Sequence, residues 1–264
     1  MTPNYKHLLF TTENGVCRIT LNRPELHNAF NRELIDELRG AFESIADMPT
    51  GDVRAVVLSG AGKSFCAGAD VNWMGASLDF TEEENVADAL RMARMFETID
   101  TCPVPLIGRL HGAALGGGVG LAAVCDIAVA AEGTMFAFSE AKLGIAPAVI
   151  SPYVLSKIGR SHARALFLTA ERFGTDRAMH IGLIHSVKLP EEIDAEIERL
   201  VNELRGSAPG AVTRAKMLIG TVPQLAPEQA MQYTAETIAS LRVGEEGQDG
   251  LRAFLEKRKP GWVQ

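Results

Sequence analysis

The sequence predicts an α/β protein that ends in an all-helical tail. Three observations predict it. Short apolar runs of strand type alternate with helical stripes up to about residue 155. Glycine-rich turns stand where strands give way to helices. Beyond that point only helical patterns recur. Strands alternating with helices favour a largely parallel sheet covered by helices.

Each element has its own signal. Residues 16–21 (VCRITL) alternate as a strand, and NRPELHNAFN ends it with Pro24 and two asparagines. Leu34, Leu38, Phe42 and Ile45 form a helical stripe within 32–47. Residues 53–59 (VRAVVLS) read as a short buried strand, followed by the loop GAGKSFCAGAD. Thr81 with Glu84 makes a capping box ahead of a helix running to about Ile99. Residues 104–110 (VPLIGRL) read as a strand interrupted by Pro105. HGAALGGGVGLAA reads as a glycine-rich turn that becomes a helix, and VCDIAVAA (124–131) as a strand. Ser161 and Thr175 are expected N-caps of two short helices. Ile193, Ile197, Leu200, Val201 and Leu204 make another stripe, and further helices are expected near 209–219, 227–243 and 247–258.

Composition narrows the function classes. The chain has 264 residues, 47% of them hydrophobic, so its core needs no disulfide or metal staple. That apolar content excludes disorder. A net charge of −7 argues against a nucleic-acid or anionic-membrane partner. No run of about 18 apolar residues could span a membrane. The N-terminus, MTPNYKHLLF, reads as neither a signal nor a transit peptide. Cys17, Cys66, Cys102 and Cys125 form no CxxC, which implies buried, reduced thiols and a cytoplasmic setting. Glycine is abundant, with 25 residues, while aromatics are scarce at 6%.

Several nucleotide and nucleophile motifs fail on spacing. GAGKS (60–64) lacks the earlier glycine of a P-loop, because position 57 is Val. Gly116, Gly117, Gly118 and Gly120 do not fit G-x-G-x-x-G. There is no G-x-S-x-G and no H-E-x-x-H. Two stretches remain, FCAGAD (65–70) and the glycines at 116–118 that open a helix. Read plainly, both are tight loops. Read chemically, each offers a backbone N–H to a ligand, and two N–H groups on one oxygen make an oxyanion hole.

KSFCAGADVNWM (63–74) and HGAALGGGVGLAAVCDIAVA (111–130) closely resemble the enoyl-CoA hydratase/isomerase, or crotonase, family. LNRPELHNAF (21–30), FSEAKLGIAP (138–147) and FLEKRKP (254–260) extend the resemblance, in family order and spacing, over nearly the whole chain. It implies a crotonase-like spiral of ββα units over 1–200 and a C-terminal helical oligomerisation region over 201–264. It implies an acyl-CoA thioester substrate, with coenzyme A part of that substrate and no separate cofactor or metal. It also implies a homo-oligomer, a trimer or a dimer of trimers.

The resemblance assigns site residues one by one. The oxyanion hole falls on the backbone N–H groups of Ala69 and Gly117, with Gly116 beside them. Of the two glutamates that family hydratases carry, one falls on Glu140. The other falls on Gly120, so one carboxylate is missing. His27 and Ala29 fall in the loop that borders the adenine and pantetheine. Ala67, Asp70, Val71 and Asn72 continue the loop beside the thioester. Phe254 and Lys257 match C-terminal positions that reach a neighbouring subunit's coenzyme A. Trp73 and Met74 are candidates for the acyl tunnel, with plain apolar packing as the alternative.

GGGVGL together with FSEAKLGIAPAVISPYV (138–154) looks like the bacterial methylglutaconyl-CoA hydratases and their relatives acting on carboxylated terpenoid acyl-CoAs. The expectation is therefore hydration of 3-methylglutaconyl-CoA or a related carboxylated enoyl-CoA. The substrate's second carboxylate, or a water in a cavity at Gly120, would replace the missing glutamate. The alternatives are a Δ3,Δ2-enoyl-CoA isomerase working with one carboxylate, and a non-catalytic CoA-binding paralogue. An RNA-binding role, reported for some of these hydratases, is opposed by the acidic balance.

Overall fold

The computed structural model describes residues 5–263. Its main sheet has six strands in the order β1 (Leu8–Glu13), β2 (Val16–Leu21), β3 (Ala55–Gly60), β4 (Leu106–Leu110), β6 (Ile127–Ala131) and β9 (Ser186–Lys188). β1 and β2 form an antiparallel hairpin, and every later pairing is parallel. A second sheet joins β5 (Ala113–Leu115), β7 (Met135–Ala137) and β8 (Arg172–Phe173). The helices are α1 (Arg32–Ala46), α2 (Val71–Ala76), α3 (Glu82–Asp100), α4 (Gly117–Val124), α5 (Ser151–Thr169), α6 (Thr175–His180) and α7 (Ile193–Gly206), then α8 (Pro209–Thr221), α9 (Pro227–Val243) and α10 (Glu245–Glu256). This is the α/β crotonase-like spiral with its helical C-terminal region.

Strand alternation sorts the main sheet into two faces. Cys17, Ile19, Leu21, Val56, Leu58, Leu106 and Leu110 point to one face, where α1, α3, α4 and α5 supply Leu34, Leu38, Phe96, Leu121 and Val154. Val16, Ala55, Val57, Ile107 and Val129 point to the other, which α7 covers with Ile193, Ile197 and Val201. Both faces are buried, as a parallel sheet requires. Residues 200 and 201, between the two expected regions, both lie within α7.

Several expectations on boundaries give way to tertiary structure. The run 104–110 begins its strand only at Leu106, after the proline. The run 124–131 is split, because Val124 ends α4 and the strand starts at Ile127. The glycine-rich turn before α4 contains a strand, β5, held by its pairing to β7. Ser161 caps nothing: it lies inside α5, whose break falls at Gly159 with φ 71° and ψ 164°. Thr175 is the first helical residue of α6, not its cap, and Gly174 stands before it with no side-chain bond. The capping box of Thr81 and Glu84 is present as read. Among the described residues no helix is long and apolar enough to cross a membrane. All four cysteines are buried and free.

Candidate active site

The loop after β3 is sewn to two neighbours at once. Phe65 N–H donates to His111 O at 2.9 Å, Cys66 N–H to Ala113 O at 3.0 Å, and Leu115 N–H to Cys66 O at 2.9 Å. On its other side Phe30 N–H donates to Gly68 O at 2.7 Å and Asp70 N–H to Phe30 O at 2.9 Å. Phe30 thus occupies the groups either side of Ala69 and leaves the Ala69 N–H pointing away. That N–H has no acceptor among the described residues.

Gly117 opens α4, so its N–H also lacks an intrahelical acceptor. The turn into the helix needs Gly116, whose φ is 50° and ψ −118°. A Cβ there would stand 3.1 Å from Glu140 Oε1. The two unused donors, one from the loop and one from a helix N-terminus, therefore border one pocket together with Glu140.

That pocket has a volume of about 400 Å³. Ala67, Gly68 and Ala69 form one wall, and Gly116, Gly117, Ser139 and Glu140 form the floor. Trp73 and Met74 of α2, Met92 of α3, and Leu143, Ile145, Val149 and Ile150 give it an apolar lining. Asn85 and Asp88 of α3 add polar groups.

Glu140 begins a 3-10 turn, Glu140–Leu143, just beyond β7. Its Oε2 is buried without a hydrogen-bond partner. Burial pushes its carboxyl above the usual glutamate range, against a smaller pull from its own backbone N–H. A carboxyl so placed keeps its proton to a higher pH than a solvated one and can give or take it at a bound molecule.

The expected replacement at Gly120 is not there. A Cβ on Gly120 would strike Ile150 Cγ2 and stand 2.9 Å from Phe96 Cζ. Gly120 is itself buried, and it does not line the pocket. Phe96 of α3 and Ile150, the residue just before α5, stand where a side chain at this position would extend.

Asp70 also departs from its expected place beside the thioester. Its carboxylate turns inward to Arg23 Nη2 at 2.7 Å, and both side chains are under 9% exposed. Asp70 Oδ1 also caps α2 through Asn72 N–H at 2.8 Å. Burial pushes the Asp70 carboxyl up, but Arg23 and the backbone N–H groups of Asn72 and Trp73 outweigh it and hold it below the usual range. Arg23 Nη1 meanwhile donates to Ala29 O at 2.5 Å. Asn28 reaches Ala61 O and Ser64 O, both at 2.8 Å. LNRPELHNAF is therefore the clamp that shapes the CAGAD loop.

The structure brings Ala67, Ala69, Trp73, Gly116, Gly117 and Glu140 together around the pocket. His27 stands outside it, with Nδ1 3.0 Å from Ser64 Oγ. Ala29 is buried, Asn72 and Val71 are exposed, and none of the three lines the pocket. Phe254 and Lys257 are exposed on and just after α10, away from the pocket lining. Sequence reasoning missed Arg23, Asn28, Asn85, Asp88 and Met92. The available signal was spacing: positions 85, 88, 89 and 92 fall at i, i+3, i+4 and i+7, one face of α3. Among the described residues no three His, Cys, Asp or Glu side chains gather as a metal site.

The family description "Enoyl-CoA hydratase/isomerase" matches residues 11–264. The chain superposes on the structure of Pseudomonas aeruginosa AtuE with a TM-score of 0.95 at 36% identity, covering 98% of this chain and 100% of that one. It is 31% identical to a short-chain-enoyl-CoA hydratase of Clostridium acetobutylicum over 96% of each chain. It is 30% identical to a peroxisomal Delta(3,5)-Delta(2,4)-dienoyl-CoA isomerase of Arabidopsis thaliana over 96% of this chain and 94% of that one. With two unused backbone donors facing a buried carboxyl, and likeness along its whole length, the chain belongs to the enoyl-CoA hydratase/isomerase family.

Proposed function

We propose that the protein adds water to the double bond of an α,β-unsaturated acyl-CoA, with 3-methylglutaconyl-CoA or a related carboxylated enoyl-CoA as substrate. The observation that carries the reading is the unpartnered Glu140 oxygen in a pocket bordered by the free N–H groups of Ala69 and Gly117. The thioester oxygen sits between those donors and gains enolate charge as water attacks the β-carbon. Losing one such donor costs about 3–4 kcal/mol. Glu140, as the acid, gives its proton to the α-carbon. Because Ile150 and Phe96 fill the space at Gly120, the substrate's own second carboxylate holds the water and takes its proton. Coenzyme A enters as part of the substrate. The His27–Ala29 loop and the 70–72 segment border its pantetheine and adenine outside the pocket.

The filled position at Gly120 also favours a second reading. A single carboxylate suffices to move a double bond, taking a proton from C2 and returning it at C4. Turnover of 3-methylglutaconyl-CoA, crotonyl-CoA and 3-hexenoyl-CoA by the purified protein separates the two. Preference for the first supports hydration of a carboxylated substrate. Turnover of 3-hexenoyl-CoA alone supports isomerisation, and no turnover supports a CoA-binding paralogue.

We further propose a trimer or a dimer of trimers, built through the C-terminal helices, in the reducing cytoplasm. Supporting the assembly are Ile219, Val243, Phe254 and Leu255, each more than three-quarters exposed on or beside those helices. Supporting the compartment are four buried free thiols. Sedimentation of the purified protein tests the assembly, and a monomer at micromolar concentration overturns it.

A further inference from the structure

We propose that Arg32 is the counter-ion for a carboxylate at the far end of the acyl group, held in position by Asp88 and Phe80. The inference rests on the enoyl-CoA reading above and names what recognises its substrate.

The helix α3 serves as a ruler. Met92 Cε lies 2.9 Å from where a Cβ on Gly117 would stand, so the end of the Met92 side chain packs beside one of the two oxyanion donors. Asp88 is four residues earlier on the same pocket-lining face, about 6 Å back along the helix axis. Four carbon–carbon bonds of about 1.5 Å span about 5 Å along a bent chain, which is the reach from C1 to C5 of an acyl group. The separation of Asp88 from Met92 is thus comparable to the reach of a five-carbon diacid from its thioester carbon to its second carboxylate.

Taken alone, Asp88 would repel that group. No Lys, Arg or His lines the pocket, whose titratable groups are Glu140 and Asp88. Asp88 is not alone, however. Its Oδ1 accepts from Arg32 Nε at 2.9 Å, and its side chain is only 10% exposed. The Arg32 guanidinium carbon stands 5.1 Å from the centre of the Phe80 ring. An arginine fixed through Nε and stacked on an aromatic face has lost much of its freedom before any ligand arrives. Both terminal nitrogens of Arg32 remain without a partner among the described residues, and its side chain is 49% exposed. A planar fork with two unused nitrogens is suited to a carboxylate. One oxygen of the substrate's carboxylate pairs with Arg32, and the other remains for the attacking water.

The test compares 3-methylglutaconyl-CoA with 3-methylcrotonyl-CoA, which lacks the second carboxylate. The readout is the ratio of kcat/KM for the two in the full-length wild type, Arg32→Met and Arg32→Lys. Arg32→Met lowers the ratio about 30-fold or more, as expected on losing one charged hydrogen-bonding partner. The loss appears in KM, and Arg32→Lys recovers part of it. Added salt raises the wild-type KM for the diacid more than for the monoacid. A ratio unchanged in Arg32→Met, with the wild type active on both, overturns the role of Arg32 and leaves the function standing. A wild type active only on 3-methylcrotonyl-CoA overturns the carboxylated substrate and Arg32 with it. A wild type active on neither overturns the carboxylated substrate and Arg32 with it, and inactivity on crotonyl-CoA as well overturns the enoyl-CoA hydration reading itself.

Discussion

Helices α4 and α10 both start next to a glycine, yet they meet opposite surroundings. All eight residues of α4 are buried, although three of its first four positions are glycines with no side chain to bury. Along α10 only Ala253 is buried, while Phe254 and Leu255 are 82% and 78% exposed. The first helix is enclosed, with its N-terminal residue Gly117 on the pocket. The second keeps its largest apolar groups on the outside, where this chain offers nothing to cover them. Burial therefore reports position in the fold here rather than residue hydrophobicity, and the enclosed region has far less tolerance for change.

The largest expected effect is on the clamp around the enclosed region. Arg23→Met leaves Asp70 buried without its cation and lowers stability by about 3–5 kcal/mol, read from denaturant unfolding. The pair also sets a pH dependence. Asp70 is held below its ordinary range, so its stabilisation is present above the ordinary carboxylate pKa and fades as pH falls through the lowered one. The Arg23→Met variant loses that part of the acid sensitivity.

Next in size is Gly120→Glu, which drives a side chain into Ile150 and Phe96. It costs about 1–3 kcal/mol by overpacking, and Ile150→Ala in the same chain returns part of the loss. An unchanged melting temperature for the single variant would contradict the close packing described for this helix.

Glu140→Gln has the reverse sign for stability. Its folded carboxyl is raised by burial, so the unfolded chain gives up this proton at a lower pH than the folded one does. Stability then falls as pH rises from the ordinary glutamate range through the raised value. Removing the unpaired charge recovers about 1 kcal/mol at pH 7–8 and little near pH 4. Calorimetry should show a melting temperature about 2–4 °C higher at the upper pH. In the same variant kcat falls about 10²–10⁴-fold.

The smallest effect on the single chain belongs to the exposed region. Phe254→Glu with Leu255→Lys changes the stability of the isolated protomer by about 0.5 kcal/mol or less. Sedimentation should nevertheless show smaller particles, since the loss falls on the covered face of the proposed oligomer. Intact particles would mean that these two side chains lie outside it.

The same contrast explains what the sequence made legible. Stripes such as Leu34, Leu38, Phe42 and Ile45 face one large core, so period alone located α1. The pocket motifs were legible because glycines cluster where backbones meet closely. Strands β5, β7 and β8, of two or three residues each, are too short to show a period and exist through pairing. The pocket face of α3 mixes Asn85, Asp88, Ala89 and Met92, which as a string resembles a solvated surface. Asp70 follows Ala69 directly, but its carboxylate turns away into the Arg23 clamp. Gly120 was misread as space because its neighbours, Phe96 and Ile150, lie 24 and 30 residues away along the chain.

That filled space carries a consequence for redesign. A glutamate placed at position 120 by one substitution meets both Ile150 and Phe96. Room for it comes from smaller neighbours, and each such change made alone opens a void in a packed interior before any carboxylate arrives to use it. The packing at Gly120 acts as a latch: a larger side chain is accommodated there at least cost when position 120 and its neighbours change together.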